Sequence, residues 1–322
     1  MTSSIVEIRD FSSAAQFLDA LSPRVRPWYP NPDKWVFRGQ RDATWKLLPS
    51  ASRAAAWLPF ENVVGGMPPV QHTNDARLQL ELAAVWRFCR DADREGLLIP
   101  GFDHTWVDYP DLEKKFNDLR EVFAGNQFFP RAEWRPLFGM AQHYGIPTRL
   151  LDWSERALVA AYFAASGASG PAEGSGRHMA VWALDHTRLG SIASSDERVI
   201  VVRAPLATNP NLRAQRGLFT LHGVRLRADR TAVDAALDDA IGKLAGSAQG
   251  SDATQRPCMY LYCLPAEKAP LLLHLLDQEG TSAASIYPGY KGVVDALRES
   301  HGAVNYRDDP TESFGPSTVP GE

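Results

Sequence analysis

Three separated stretches of this chain carry the side chains best suited to chemistry. The first is Phe37-Arg38-Gly39-Gln40. An arginine offers a rigid fork of N–H donors to a planar or anionic group, and a neighbouring glycine lets a ligand or another backbone come close. The same residues also suit an Arg–carboxylate pair beside a turn. The second is Gln142-His143-Tyr144-Gly145-Ile146-Pro147-Thr148-Arg149-Leu150-Leu151-Asp152-Trp153-Ser154. Polar groups this dense, lying between apolar helices, need partners before they can be ordered. One reading makes them a site wall, with His143 as donor or general base, Arg149 on a phosphate or ribose, and Asp152 orienting a neighbour. The other is an internal Arg149–Asp152 pair with His143 closing a helix. The third stretch runs from Asn211 to Thr220. There Gln215 either hydrogen-bonds a sugar hydroxyl or, with Arg213, is a solvated loop residue.

Other chemistries lack their signatures. Eight scattered histidines form no HExxH or H-x-E pair, and Cys89, Cys258 and Cys263 make no CxxC, so no metal site is expected. Three cysteines cannot frame a disulfide scaffold, which suits a reducing compartment. Ser50 and Ser52 lie in a turn without a GxSxG elbow, against a hydrolase serine. Asp238-Asp239 reads as a solvated helix face, and Glu279 as an acid near a helix C-terminus. The formal charge of −4, from 34 basic and 38 acidic residues, disfavours binding duplex nucleic acid by net charge alone. The N-terminal segment carries Glu7, Asp10 and Asp19 and lacks a leader pattern. No long apolar run suggests a membrane span, so a cytoplasmic protein without membrane contact is expected.

Strands are expected at 5–8, 35–39, 179–184, 198–203, 217–221 and 258–264, where β-branched and aromatic residues cluster. Apolar spacing predicts helices after Ser12 or Ser13, over 75–94, 112–123, 134–144, 231–244 and 267–278, and an Ala-rich one over 157–165 started by Ser154 and Glu155. The stretches 98–110 and 246–257 read as irregular, the latter as mobile. Without regular βα alternation or GxGxxG, a dinucleotide-binding Rossmann unit is unsupported. The expected class is α+β, with a helical N-terminal half. Its expected layout is an N-terminal strand and helix extension at 1–33, a catalytic-type domain at 34–300 and a disordered tail at 301–322.

In their order, these segments resemble the FRG domain family, named for the motif at Phe37 to Gly39. Trp45, Leu48-Pro49-Ser50 and Arg53 follow, then Glu81 and Phe88 on a helix. The long signature runs from Gln142 through Pro147 to Trp153 and on to Ala161-Tyr162-Phe163-Ala164. Arg213, Gln215, Gly217 and Phe219 are similar to a family motif of the Arg-x-x-Gln-x-Gly-x-Phe type, with a one-residue difference in spacing. The resemblance spans roughly residues 34–298. One departure is Tyr287-Pro288-Gly289-Tyr290, where the family carries a segment with two acids.

The motif order also looks like that of an ADP-ribosyltransferase, which implies an ADP-ribosyltransferase-like mixed β core and NAD as co-substrate, with no metal. On that resemblance Arg38 holds pyrophosphate or ribose, the Gly39 backbone meets the carboxamide, and Gln40, His143 and Thr148 help line the site. Arg149 adds phosphate charge, and Tyr144 or Tyr162 stacks on nicotinamide. The expected stabiliser of the departing nicotinamide is Asp152, Gln215 or Glu279. The acceptor is macromolecular, DNA or RNA being favoured over protein because Arg38, Arg41, Arg53, Arg149, Arg213 and Arg216 cluster in the motifs. A toxin or antiphage effector would use such an activity. The alternatives are a non-catalytic nucleotide- or anion-binding module and an NAD glycohydrolase.

Overall fold

The computed structural model describes residues 5–60, 74–99, 128–169, 176–207, 209–225, 235–247 and 256–303. The expected irregular stretch at 98–110 lies almost wholly, and the expected helix at 112–123 entirely, outside these residues, as do 248–255 of the expected mobile loop and 304–322 of the tail.

The strands are β1 (Val6–Asp10), β2 (Trp35–Gln40), β3 (Leu150–Ser154), β4 (His178–Asp185), β5 (Glu197–Val202), β6 (Gly217–Val224) and β7 (Met259–Pro265). They form one seven-stranded sheet in the order β1-β7-β4-β2-β3-β6-β5. The pairings are antiparallel except β1 with β7. The helices named below are α1 (Ala14–Leu21), α2 (Asn74–Arg94), α3 (Arg135–His143), α4 (Ala157–Ala168), α5 (Pro210–Ala214), α6 (Leu237–Ser247), α7 (Ala269–Gln278) and α8 (Tyr290–Ala303). The fold is mixed α and β around one mixed sheet.

Side-chain alternation assigns the faces. Val36, Trp182, Leu151, Trp153 and Leu218 pack with Leu237 and Ile241 of α6 on one face. The opposite face is covered in two parts. Trp35, Phe37, Val181 and Tyr262 pack under α1, α4 and α7. Leu150, Phe219, Leu221 and Val202 pack under α2 and α3. The seam between these two helical layers lies over the β2–β3 boundary. There the sheet parts: β2 pairs with β4 at all six of its residues, but with β3 only at Phe37 opposite Ser154.

Several local expectations change in the structure. Residues 6–21 are integral to it, because β1 pairs along β7 and the buried Ala14, Phe17 and Leu21 of α1 join the core under α7. Ser13 caps α1, its hydroxyl accepting the Gln16 N–H at 3.3 Å. The Leu150–Ser154 stretch, read as part of a polar wall, is an internal strand. Its Leu151 and Trp153 are buried on one face, and Leu150 on the other. Ser154 ends that strand rather than starting α4, and its hydroxyl accepts the Arg156 N–H at 2.9 Å. Helix α6 runs through Gly246 to Ser247. Helix α8 occupies a segment where no helix was expected.

Candidate functional site

Strand β2 owes its central place to an apolar run, and that run delivers Arg38 to the parting of the sheet. The Arg38 side chain is only 15% exposed. Its Nη1 donates to the Asp152 carbonyl at 2.8 Å and lies 3.4 Å from Asp152 Oδ2. Its Nε–H is buried and has no hydrogen-bond partner among the described residues. An unmet charged donor of this kind costs on the order of 1–3 kcal/mol or more, unless an acceptor arrives.

A short relay fixes Asp152. Gln142, near the end of α3, donates Nε2 to Asp152 Oδ2 at 3.1 Å. Its amide orientation is set by Thr148, whose hydroxyl donates to Gln142 Oε1 at 2.8 Å. Ser50 Oγ accepts the Thr148 N–H at 3.1 Å and lies equally far from Gln142 Oε1. Each group holds the next, so the carboxylate beside Arg38 is positioned from three chain segments.

Of these residues Arg38, Gln142 and Asp152 line a cleft of about 440 Å³, together with His143, Gln215, Asn211, Phe163 and Tyr287. That volume lies within the usual range for small-molecule sites. Burial holds the His143 imidazole below its ordinary range, with Asp152 opposing, so it is a neutral acceptor near pH 7. Gln215 ends α5, and its carbonyl accepts the Ser154 hydroxyl at 2.8 Å, which ties β3 to the start of β6. Arg216 takes φ 45° as the chain turns into that strand. Among the residues lining this cleft, Asp152 supplies the carboxylate.

A second cavity of about 520 Å³ adjoins the first and shares Arg38, Gly39 and Phe163 with it. Gln40 lines this second cavity, and its Oε1 accepts the Trp182 indole N–H at 2.9 Å.

The structure therefore brings Arg38, Gly39, His143, Asp152 and Gln215 to one cleft, and places other expected site residues elsewhere. Arg149 does not line either cavity, and it pairs with neither Asp152 nor a free anion site. The fully buried Glu81 of α2 accepts the Arg149 backbone N–H at 2.7 Å and its Nε at 2.8 Å, and Arg149 Nη2 lies 2.6 Å from the same carboxylate. The guanidinium also lies over the Phe129 ring, 4.5 Å from its centroid. Its charge is answered inside the protein, so it is a strut between α2 and β3. Thr148 is fully buried in the relay and lines neither cavity.

Tyr162 points into the core, its hydroxyl donating to Glu299 at 2.7 Å, and Tyr144 is an exposed ring against Phe88 and His143. Neither lines the cleft, because Tyr162 faces α8 and Tyr144 follows the end of α3. Glu279 is exposed at the end of α7, away from the cleft lining. The aromatic rings that do line it are Phe37, Trp153, Phe163 and Tyr287. Of these, Phe163 and Tyr287 meet edge to face with centroids 6.3 Å apart. Tyr287 lies in the segment whose acids are missing, which marked the place but not the ring's role.

Gly39 also has a different reason from the one expected. A Cβ there would sit 1.9 Å from the Ala160 carbonyl and 2.6 Å from the Ala164 N. Its bare Cα admits helix α4, whose alanines lie flat on β2. Gln142 and Ser50, the relay members, were visible only as parts of longer polar motifs.

Residues 33–172 match the family model for the FRG domain. The match takes in β2, the relay, β3 and α4, while Gln215 and Tyr287 reach the cleft from later segments. No curated protein and no solved structure matches the chain.

Proposed function

Because residues 33–172, which match the FRG domain family model, hold most of the cleft lining, we propose that this chain binds NAD and transfers ADP-ribose to a macromolecular acceptor. The observation that carries this reading is the buried, partnerless Nε–H of Arg38 on a cleft shared by all three polar segments. A pyrophosphate oxygen supplies the acceptor that this donor lacks. Strands β2, β3 and β6, which bear or follow the three motifs, are consecutive in the sheet, as a site assembled from them requires.

In this reading Arg38 holds the pyrophosphate, and Phe163 with Tyr287 flanks the nicotinamide. The glycosidic C1′–N bond breaks, and nicotinamide leaves with the electron pair as a neutral base. The developing oxocarbenium charge faces the Asp152 carboxylate. Gln215 hydrogen-bonds a ribose hydroxyl but carries no charge, so Asp152 bears the electrostatic role. The acceptor nucleophile then bonds to C1′, and its proton passes to neutral His143.

Nicotinamide release from NAD, followed with and without a cell extract as acceptor source, tests the proposal. We expect release and labelling of macromolecules, reduced about 100-fold or more in Arg38→Ala, the scale for removing one donor from developing charge. A wild-type protein that neither binds NAD nor releases nicotinamide from it overturns the proposal. One observation favours a second reading, a recognition module without turnover: Asp152 already engages Arg38 and Gln142. That reading predicts NAD binding with no nicotinamide released. An NAD glycohydrolase would release nicotinamide and label nothing.

A further inference from the structure

The second cavity has its own chemistry. Arg53 lines it with no ion pair to a carboxylate among the described residues; burial and then the nearby Arg38 disfavour its charge, with Asp152 opposing. Arg41 lines it too, and its guanidinium lies 4.8 Å from the centroid of the Trp45 ring. The Arg41 stem packs on Gly167 of α4, where a Cβ would stand 3.1 Å from Arg41 Cβ. The Trp45 ring is 40% exposed and shares the same wall.

Acidic groups nearby are already engaged. Lys46 pairs with Asp238 and Asp239 at 2.9 and 2.8 Å. Asp42 accepts the Thr44 N–H and hydroxyl at 2.9 and 2.6 Å; it does not line the cavity, and its charge is felt by Arg177 and Arg41. Arg38, Arg41, Lys46 and Arg53 line this cavity of about 520 Å³ and no acid is among its lining residues, so positive charge is in excess beside the aromatic face on its rim. Spaced guanidiniums beside an exposed ring recognise a strand that alternates phosphates with unstacked bases.

We propose that this second cavity binds single-stranded nucleic acid, with Arg41 and Arg53 on successive backbone phosphates and Trp45 stacking a base. It rests on the reading of the first cleft only for its consequence: the bound strand meets ADP-ribose at the shared Arg38–Gly39 wall. The binding itself stands without that reading. Duplex nucleic acid buries its base faces, and a protein partner is an outcome that the binding test separates.

Fluorescence anisotropy of the full chain with a labelled single-stranded oligonucleotide of about twelve nucleotides tests this, the length being chosen from typical site sizes. Binding should weaken with salt, at roughly 0.7 logarithmic units per phosphate contacted. Arg53→Gln and Arg41→Gln should each lower that slope by about 0.7. Trp45→Ala should weaken binding about 5- to 100-fold at constant slope, and Trp45→Phe should recover most of it. NAD affinity, measured by calorimetry on the same variants, should not move.

A slope and affinity indifferent to all three positions would overturn the proposal, as would equal binding of a duplex or of an acidic phosphopeptide. Oligonucleotide binding with this variant pattern but no NAD binding would sustain the cavity and remove the first cleft's proposed function. NAD turnover without oligonucleotide binding would do the reverse.

Discussion

Replacing Glu81 tests whether Arg149 is a strut or a ligand-binding group. The carboxylate is 1% exposed and the Arg149 side chain 14% exposed, and the two meet through Nε and Nη2, with the Arg149 backbone N–H as a third donor. Removing one partner of a buried pair costs about 3–5 kcal/mol, chiefly because the remaining charge is left uncompensated. Glu81→Gln keeps an acceptor for the backbone N–H and should fall near the lower end. Glu81→Ala should reach the upper end. The double variant Glu81→Leu, Arg149→Met removes both charges while keeping apolar bulk, and should recover at least about 2 kcal/mol of the summed single losses. Urea unfolding reads these as shifts of midpoint at constant slope. NAD affinity per folded molecule should be unchanged in Arg149→Met. A loss below about 1 kcal/mol for Glu81→Ala, or NAD affinity falling with Arg149 while stability holds, would refute the strut.

Gly39→Ala should destabilise the protein by about 2–3 kcal/mol or more, since the added methyl meets the α4 backbone rather than a yielding side chain; a stable variant that merely loses ligand binding would contradict this. The half-buried imidazole of His143 and the buried one of His222 are both held below their ordinary range by desolvation, with Asp152 and Glu197 respectively opposing. Below about pH 6.5 the unfolded chain therefore binds more protons than the folded one, so stability falls with pH until the native values are passed. Urea midpoints between about pH 7.5 and 5 should show that fall, flattened in His222→Gln; a level profile would rule it out. Burial pushes the thiols of Cys89 and Cys263 up to about 12 and that of Cys258 to about 11, so a thiol-specific reagent should label the native protein slowly and the urea-unfolded protein fully.

Local pattern carried much of the architecture. Apolar, β-branched runs announced β2, β4, β5, β6 and β7, and apolar spacing announced α1, α2, α3 and α7, because both periods are properties of neighbouring residues. Strand β3 escaped because five residues with one exposed aspartate between buried leucine and tryptophan resemble a polar turn. Helix α8 escaped because Gly292 interrupts a mostly polar run. A Cβ at that glycine would fall 2.0 Å from the Tyr287 carbonyl, so close packing required it.

The amino-acid order alone was enough to mark Arg38, Asp152 and Gln215 as residues worth bringing together, and to exclude cysteine- and histidine-built metal motifs. It left open which acid answers which arginine. Arg38 meets Asp152 across 114 positions, and Arg149 meets Glu81 across 68. Such choices depend on where helices settle on the sheet, and no local period records them. Packing turned Arg149 inward, put Gly39 beneath a helix and left the Arg38 Nε–H buried beside a cleft, without a partner among the described residues. Burial makes these differences matter: beyond the reach of water, each charged or polar group must find its partner within the fold or in a ligand.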